Sequence, residues 1–164
     1  MGSNILKTQK NLMKLILSII LCQAVGVTGA LFTFPSISIW YSQLIKPKFT
    51  PPNWVFAPVW TTLYLLMGLS LFLILIKGKG KKLRRILFIF AIQLFLNGLW
   101  SYLFFGLRSP FYGFIGITVL WIAILFTIVE AFKISKAAAM LLIPYIVWVT
   151  IAVALNYYIL RLNI

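Results

Sequence analysis

The sequence predicts an all-α integral membrane protein: a bundle of five transmembrane helices with a long first loop capping the bundle. Three observations lead there. Of 164 residues, 63% are hydrophobic and only 10% charged, and the mean hydropathy is +1.06; soluble domains run near a quarter charged. Five apolar runs recur, each of roughly 19–24 residues, and a bilayer core of about 30 Å needs ~20 helical residues to cross. The basic residues flank these runs and do not interrupt them, the pattern that orients a membrane protein. Helices are favoured because a spanning backbone must satisfy its own hydrogen bonds, and the continuous apolar runs lack the alternation of a barrel strand.

The same composition excludes much chemistry. There are fifteen Lys/Arg, one acid (Glu130), one cysteine (Cys22) and no histidine. Clustered metal ligands, Ser-His-Asp triads and paired-carboxylate hydrolysis all lack parts, so no metal site and no resident cofactor are expected. An intrachain disulfide is impossible. A net charge of +14 by itself suggests nucleic acid; the placement of the cations around apolar runs favours a membrane instead, with lipid as a partner.

Taken in order, the first helix is expected over about 12–34, ended by Pro35. Its apolar part is longer than the core of a cleaved signal, and Leu6 stands where a myristoylation motif needs Ser or Thr. The first loop, 35–53, carries Pro35, Pro47, Pro51 and Pro52 among apolar residues. Ile37, Trp40, Tyr41 and Leu44 fall at i, i+3, i+4, i+7, an amphipathic turn, so this loop is expected to fold back over the bundle mouth. The second helix is expected over 54–76, with Pro58 tolerated in its first turn. The third follows at 86–105. A five-residue turn from Gly106 to Pro110 then makes the fourth helix, 111–132, its antiparallel neighbour. The fifth, 137–161, contains Pro144, which is expected to kink it or free a carbonyl. The whole chain is expected to form one domain. Eleven of the fifteen Lys/Arg lie on the side of the N-terminus and the second and fourth connections, which places the N-terminus in the cytoplasm and the first loop and C-terminus outside.

Polar and aromatic residues recur at helical spacing. Gln93, Asn97, Trp100, Ser101 and Phe104 share one face, and mid-membrane amides must look inward. Tyr145, Trp148, Ala152, Leu155 and Asn156 share another; Phe56, Trp60, Tyr64 and Met67 a third. Gln23, Gly26, Ala30 and Thr33 form a small-residue face that permits close approach. These stripes read either as interhelical packing or as an aromatic cavity for a flat apolar ligand.

At the first loop and second helix the residues become specific. Trp40-Tyr41, Lys46-Pro47, the run Phe49-Thr50-Pro51-Pro52-Asn53-Trp54-Val55-Phe56-Ala57-Pro58-Val59-Trp60-Thr61, Tyr64 and Met67-Gly68 resemble the TspO/MBR family, the tryptophan-rich sensory proteins and the translocator protein once called the peripheral benzodiazepine receptor. Gln93, Asn97, Trp100-Ser101 and Phe104-Phe105 agree, as do Pro144-Tyr145, Trp148, Ala152 and Leu155-Asn156. The resemblance covers about residues 24–163. It implies a five-helix bundle, often a homodimer, that binds protoporphyrin IX and isoquinoline or benzodiazepine ligands in a pocket under the first loop. By motif match the implied ligand-binding positions are Ala30, Thr33, Phe56, Ala57, Trp60, Asn97, Trp100, Tyr112, Trp148, Ala152 and Leu155. Tyr112 replaces the tryptophan of animal members. For bacterial members the resemblance also implies light- and oxygen-dependent porphyrin breakdown, carried here by Trp60 and Trp148.

A metal-free porphyrin held by stacking asks for no axial ligand, which suits a chain without histidine. Lys46 or Lys48 are candidates to meet its carboxylates. The run from Leu155 to Arg161 fits the weak pattern proposed for sterols, and equally an interfacial anchor. The expectation is therefore a receptor or sensor of tetrapyrroles in a bacterial cell membrane, the alternatives being a porphyrin-degrading enzyme and a porphyrin or lipid transporter.

Overall fold

Six α-helices make up five membrane-length segments in the computed structural model, which describes residues 2–164, with side chains from Leu6 onward. They are α1 (Gly2–Ile39), α2 (Asn53–Lys77), α3 (Gly80–Ser101), α4 (Pro110–Phe132), α5 (Lys136–Met140) and α6 (Ile143–Leu162). No strand occurs among the described residues. Around the bundle, α1 packs between α2 and α3, α4 between α3 and α6, and α2 closes the ring through α5. Exposed Leu31, Phe34, Phe88 and Phe95 form the outer surface, where lipid and not water is the solvent. Met67, Ile74, Ile86, Phe90, Ile117 and Tyr145 fill the centre.

Close approach is built from glycines. A Cβ on Gly68 would lie 2.8 Å from the Ile19 Cα, and one on Gly26 would lie 2.4 Å from the Tyr64 ring, so α1 and α2 meet backbone to backbone. The connection from α2 to α3 is two residues long, and Gly80 takes φ 55°, a left-handed conformation that glycine adopts without steric cost.

Both ends of the first helix, the limits of the third and the continuity of the fifth differ from the sequence expectation. α1 begins at Gly2 and not near 12, since the turns carrying Lys7, Lys10 and Lys14 stay helical beyond the apolar run. Pro35 does not end the first helix, which continues to Ile39. Proline removes one helical hydrogen bond, but the buried Ser36 hydroxyl donates to the Phe105 carbonyl at 2.8 Å, and that packing holds the last turn helical. The first loop therefore begins at Trp40, not at residue 35. The third helix starts earlier, at Gly80, and ends in a π-turn, Tyr102–Gly106, in which the Leu107 N–H reaches back to the Tyr102 carbonyl at 2.8 Å. The fifth span is two helices: it breaks at Leu141–Leu142, so Pro144 stands in the first turn of α6 and bends no continuous helix. The missing proline N–H is tolerated there. Ser70 supports the break by donating to the Ala138 carbonyl at 2.8 Å.

The first loop caps the bundle and is tied at both ends. Trp40 and Tyr41 set their rings on Phe104, at 5.3 and 6.2 Å between centroids. At the far end the Ile45 N–H donates to Asn163 Oδ1 (3.0 Å), while the Asn163 amide donates to the Ile45 carbonyl (2.9 Å). Phe49 meets Tyr158 edge-on at 5.5 Å. The apolar character that makes this segment unusual as a linker is thus partly used in packing, Tyr41 being buried and Trp40 and Leu44 half-buried, while Ile45 and Phe49 stay exposed.

Candidate functional site: an aromatic column and a cleft between α2 and α6

The helical stripes converge. Trp60 of α2 stacks on Tyr64 at 5.6 Å and on Trp100 of α3 at 6.2 Å, with ring planes within 29° and 27°. Trp100 stacks in turn on Phe104 at 5.8 Å, which carries Trp40 of the loop. A column of five rings thus runs from inside the bundle to its cap, and each offset contact adds about 0.5–1.5 kcal/mol to simple burial.

Polar groups pin the column. Tyr64 donates its hydroxyl to Asn97 Oδ1, and the Asn97 amide donates to the Tyr145 hydroxyl at 2.8 Å. The Trp100 indole N–H reaches Asn156 Oδ1 at 3.4 Å, while Asn156 donates to the Ala152 carbonyl at 2.8 Å. All of these side chains except Trp40 and Trp60, which are half-buried, are buried. Among the described residues two buried polar side chains lack partners: Trp148 at its indole N–H, and the fully buried Gln93 at both amide atoms.

Beside the column, α2 and α6 diverge around a cavity of about 410 Å³, lined by Pro58, Val59, Thr62 and Leu66 from one helix and Pro144, Val147, Trp148 and Ile151 from the other. Phe56 meets Trp148 edge-on at 5.9 Å. The volume falls in the range of small-molecule sites, about 300–1,000 Å³, and the lining is the usual mix of apolar wall and few polar groups.

The expected site residues divide. Trp60, Asn97 and Trp100 join in the column, with Ala152 and Leu155 buried on the neighbouring face of α6. Phe56 and Trp148 meet at the cleft. Ala30 and Thr33 are half-buried on α1, where Thr33 donates to its own helix at Gly29. Ala57 is exposed on α2, and Tyr112 is 51% exposed at the start of α4 against Phe111; the structure brings neither into the column. Lys46 lies over the Tyr41 ring at 4.6 Å, and burial pushes the Tyr41 phenol up to about 12; Lys48 is exposed in the loop. The residues missing from the expected set are Tyr64, Tyr145 and Asn156. Each stands on a stripe legible in the sequence, but only the packing shows that their hydroxyl and amide groups complete the network. Among the described residues no three His, Cys, Asp or Glu side chains come together.

Fold and site together define a polytopic helical membrane protein with an aromatic interior. The TspO/MBR family profile matches residues 18–162, and the chain belongs to that family. It is 45% identical to the tryptophan-rich protein TspO of Chlorobaculum tepidum over 94% of this chain and 98% of the relative. It is 36% identical to the tryptophan-rich sensory protein of Cereibacter sphaeroides, covering 87% and 86%, and 36% identical to the translocator protein of Sus scrofa, covering 76% and 75%. It is accordingly an integral membrane protein of the group whose named members are sensory and translocator proteins.

Proposed function

We propose that this chain is a membrane receptor or sensor that binds a tetrapyrrole such as protoporphyrin IX, and aromatic ligands of the isoquinoline or benzodiazepine type, in the cleft between α2 and α6 against the aromatic column. The carrying observation is the apolar cleft of about 410 Å³ walled in part by Trp148, whose buried indole N–H has no partner. A flat, largely apolar macrocycle gains stacking and burial there, and a small turn of the Trp148 ring brings its N–H, whose burial unpaired costs about 1–3 kcal/mol, to an acceptor on the ligand. Lys46, held in the first loop by Tyr41 and the Leu44 carbonyl, is the cation assigned to meet a propionate. The N-terminus lies in the cytoplasm of a bacterial cell, and two copies pair in the membrane.

Tryptophan fluorescence tests this. Protoporphyrin IX is expected to quench emission saturably, with Trp148→Phe weakening affinity about tenfold, the worth of one buried hydrogen bond. Unquenched emission at saturating ligand overturns the reading.

A second reading, photo-oxidative breakdown, is supported by the side-chain inventory: the oxidisable groups are the Trp148 indole lining the cleft and the indoles and phenols of Trp60, Trp100, Tyr64 and Tyr145 in the neighbouring column. Illuminating the complex in air and following the Soret band separates the two. Equal bleaching by the wild type and a Trp60→Phe/Trp148→Phe variant would exclude a catalytic role for those residues.

A further inference from the structure

At the opposite end of the molecule from the first loop, the N-terminal turns of α1 run alongside and past the end of α2. The close approach of Gly68 to Ile19 sets an antiparallel register that brings Lys10 level with the α2 terminus at Ile76–Lys77. Between them lies a cleft of about 770 Å³, lined by Leu6, Lys7, Lys10, Met13, Lys14 and Ile76. Lys7, Lys10 and Lys14 fall at i, i+3, i+7, one face of the helix, with Leu6 and Met13 along the edge of that face. Leu6 and Met13 are more than half exposed, so the cleft has a basic rim and an apolar wall.

These lysines have no counter-charge in the protein. The chain has a single acidic residue, Glu130, and it holds Arg85 at 3.0 Å and Lys133 at 2.5 Å. Lys77 turns away, its ammonium toward Ser135 Oγ at 3.3 Å. Three cations on one helix face therefore look into a cleft whose remaining wall is hydrocarbon from Leu6, Met13 and Ile76 and the Asn11 amide, at the level where a membrane span leaves the bilayer. The chemistry that satisfies both halves is an anionic headgroup joined to acyl chains.

We propose that this cleft is a specific site for an anionic phospholipid, its phosphate held by Lys7, Lys10 and Lys14 and its chain lying on Met13 and Ile76. Juxtamembrane lysines each contribute a few-fold to binding of anionic lipid; gathering three on a preformed concave surface selects one lipid where a flat basic surface would attract a diffuse layer.

Native mass spectrometry of the full chain, titrated with phosphatidylglycerol or phosphatidylcholine of identical acyl chains, tests it. One phosphatidylglycerol is expected to be retained in preference, and Lys7→Gln/Lys10→Gln/Lys14→Gln to lose it, while Lys79→Gln/Lys81→Gln/Lys82→Gln, equal in charge, keeps it. Each single substitution at 7, 10 or 14 is expected to weaken retention about fivefold, so the single variants decide if the triple variant does not fold. Equal retention of the two lipids, equal loss in both triple variants, or displacement of the lipid by millimolar inorganic phosphate overturns the proposal.

Discussion

Asn97 does what an apolar side chain in its place would not: it accepts from one buried phenol and donates to another. Asn97→Leu leaves the hydroxyls of Tyr64 and Tyr145 unpaired in a dry interior. A loss of about 1–3 kcal/mol is expected, read as a lowered unfolding midpoint in detergent; an unchanged midpoint counts against the network. Its inward direction was legible from the spacing of Gln93, Asn97 and Trp100. Its partners were not, because pairing across helices depends on their relative rotation, which no single stripe contains. Gln93 shows the limit from the other side. The same reasoning points it inward, and it is fully buried, yet it finds no partner.

The apolar spans were legible, but their basic flanks were not, because the lysine- and arginine-rich turns continue as helix beyond the bilayer core: α1 begins at Gly2 and not near 12, and α3 at Gly80 and not at 86. Proline misled about helix ends in the opposite way. Pro35 and Pro144 both fit their helices, one because Ser36 and its neighbours hold the last turn against α3, the other because the chain had already broken before it. Glycine carries the complementary signal, and its consequences are testable. Gly68→Ala drives a methyl into the Ile19 backbone and is expected to cost about 1–3 kcal/mol. Gly98→Ala meets only Val25 Cγ1 at an ordinary 3.6 Å and is expected to stay within about 0.5 kcal/mol. Equal midpoints for the two variants would mean that α1 and α2 part easily. The loop is similarly exposed to test: Asn163→Ala removes its two bonds to Ile45, and trypsin is expected to cut the Lys48–Phe49 bond faster than in the parent chain.

At the scale of the whole molecule, the distribution of charge predicts a single orientation in the bilayer. Lys79→Cys, in the basic connection, is expected to react with an impermeant maleimide only after the cell membrane is opened, and Ser42→Cys from outside without opening. The native Cys22 is fully buried, which keeps the background low. Labelling of position 79 in intact cells would reverse the assignment. The aromatic content of the chain separates at this scale into two populations. Rings such as those of Phe88 and Phe95 face lipid, while Trp60, Trp100 and Phe104 stack within. Composition could not distinguish them; helical spacing did so for the tryptophans, and only the packing did so for Phe105.

That residue owes its place to the π-turn. Phe104 and Phe105 are neighbours in sequence, and an α-helix would point them 100° apart, yet both are buried under the loop, 2% and 9% exposed, with rings 4.8 Å apart. The turn at Tyr102–Gly106 accommodates one residue more than an α-helix of the same rise. A chain shortened by that one residue would keep five spans and lose the paired seat on which Trp40 and Tyr41 rest. Insertion and deletion at this point thus separate two properties that otherwise go together: a bundle that assembles, and a bundle with its cap in place.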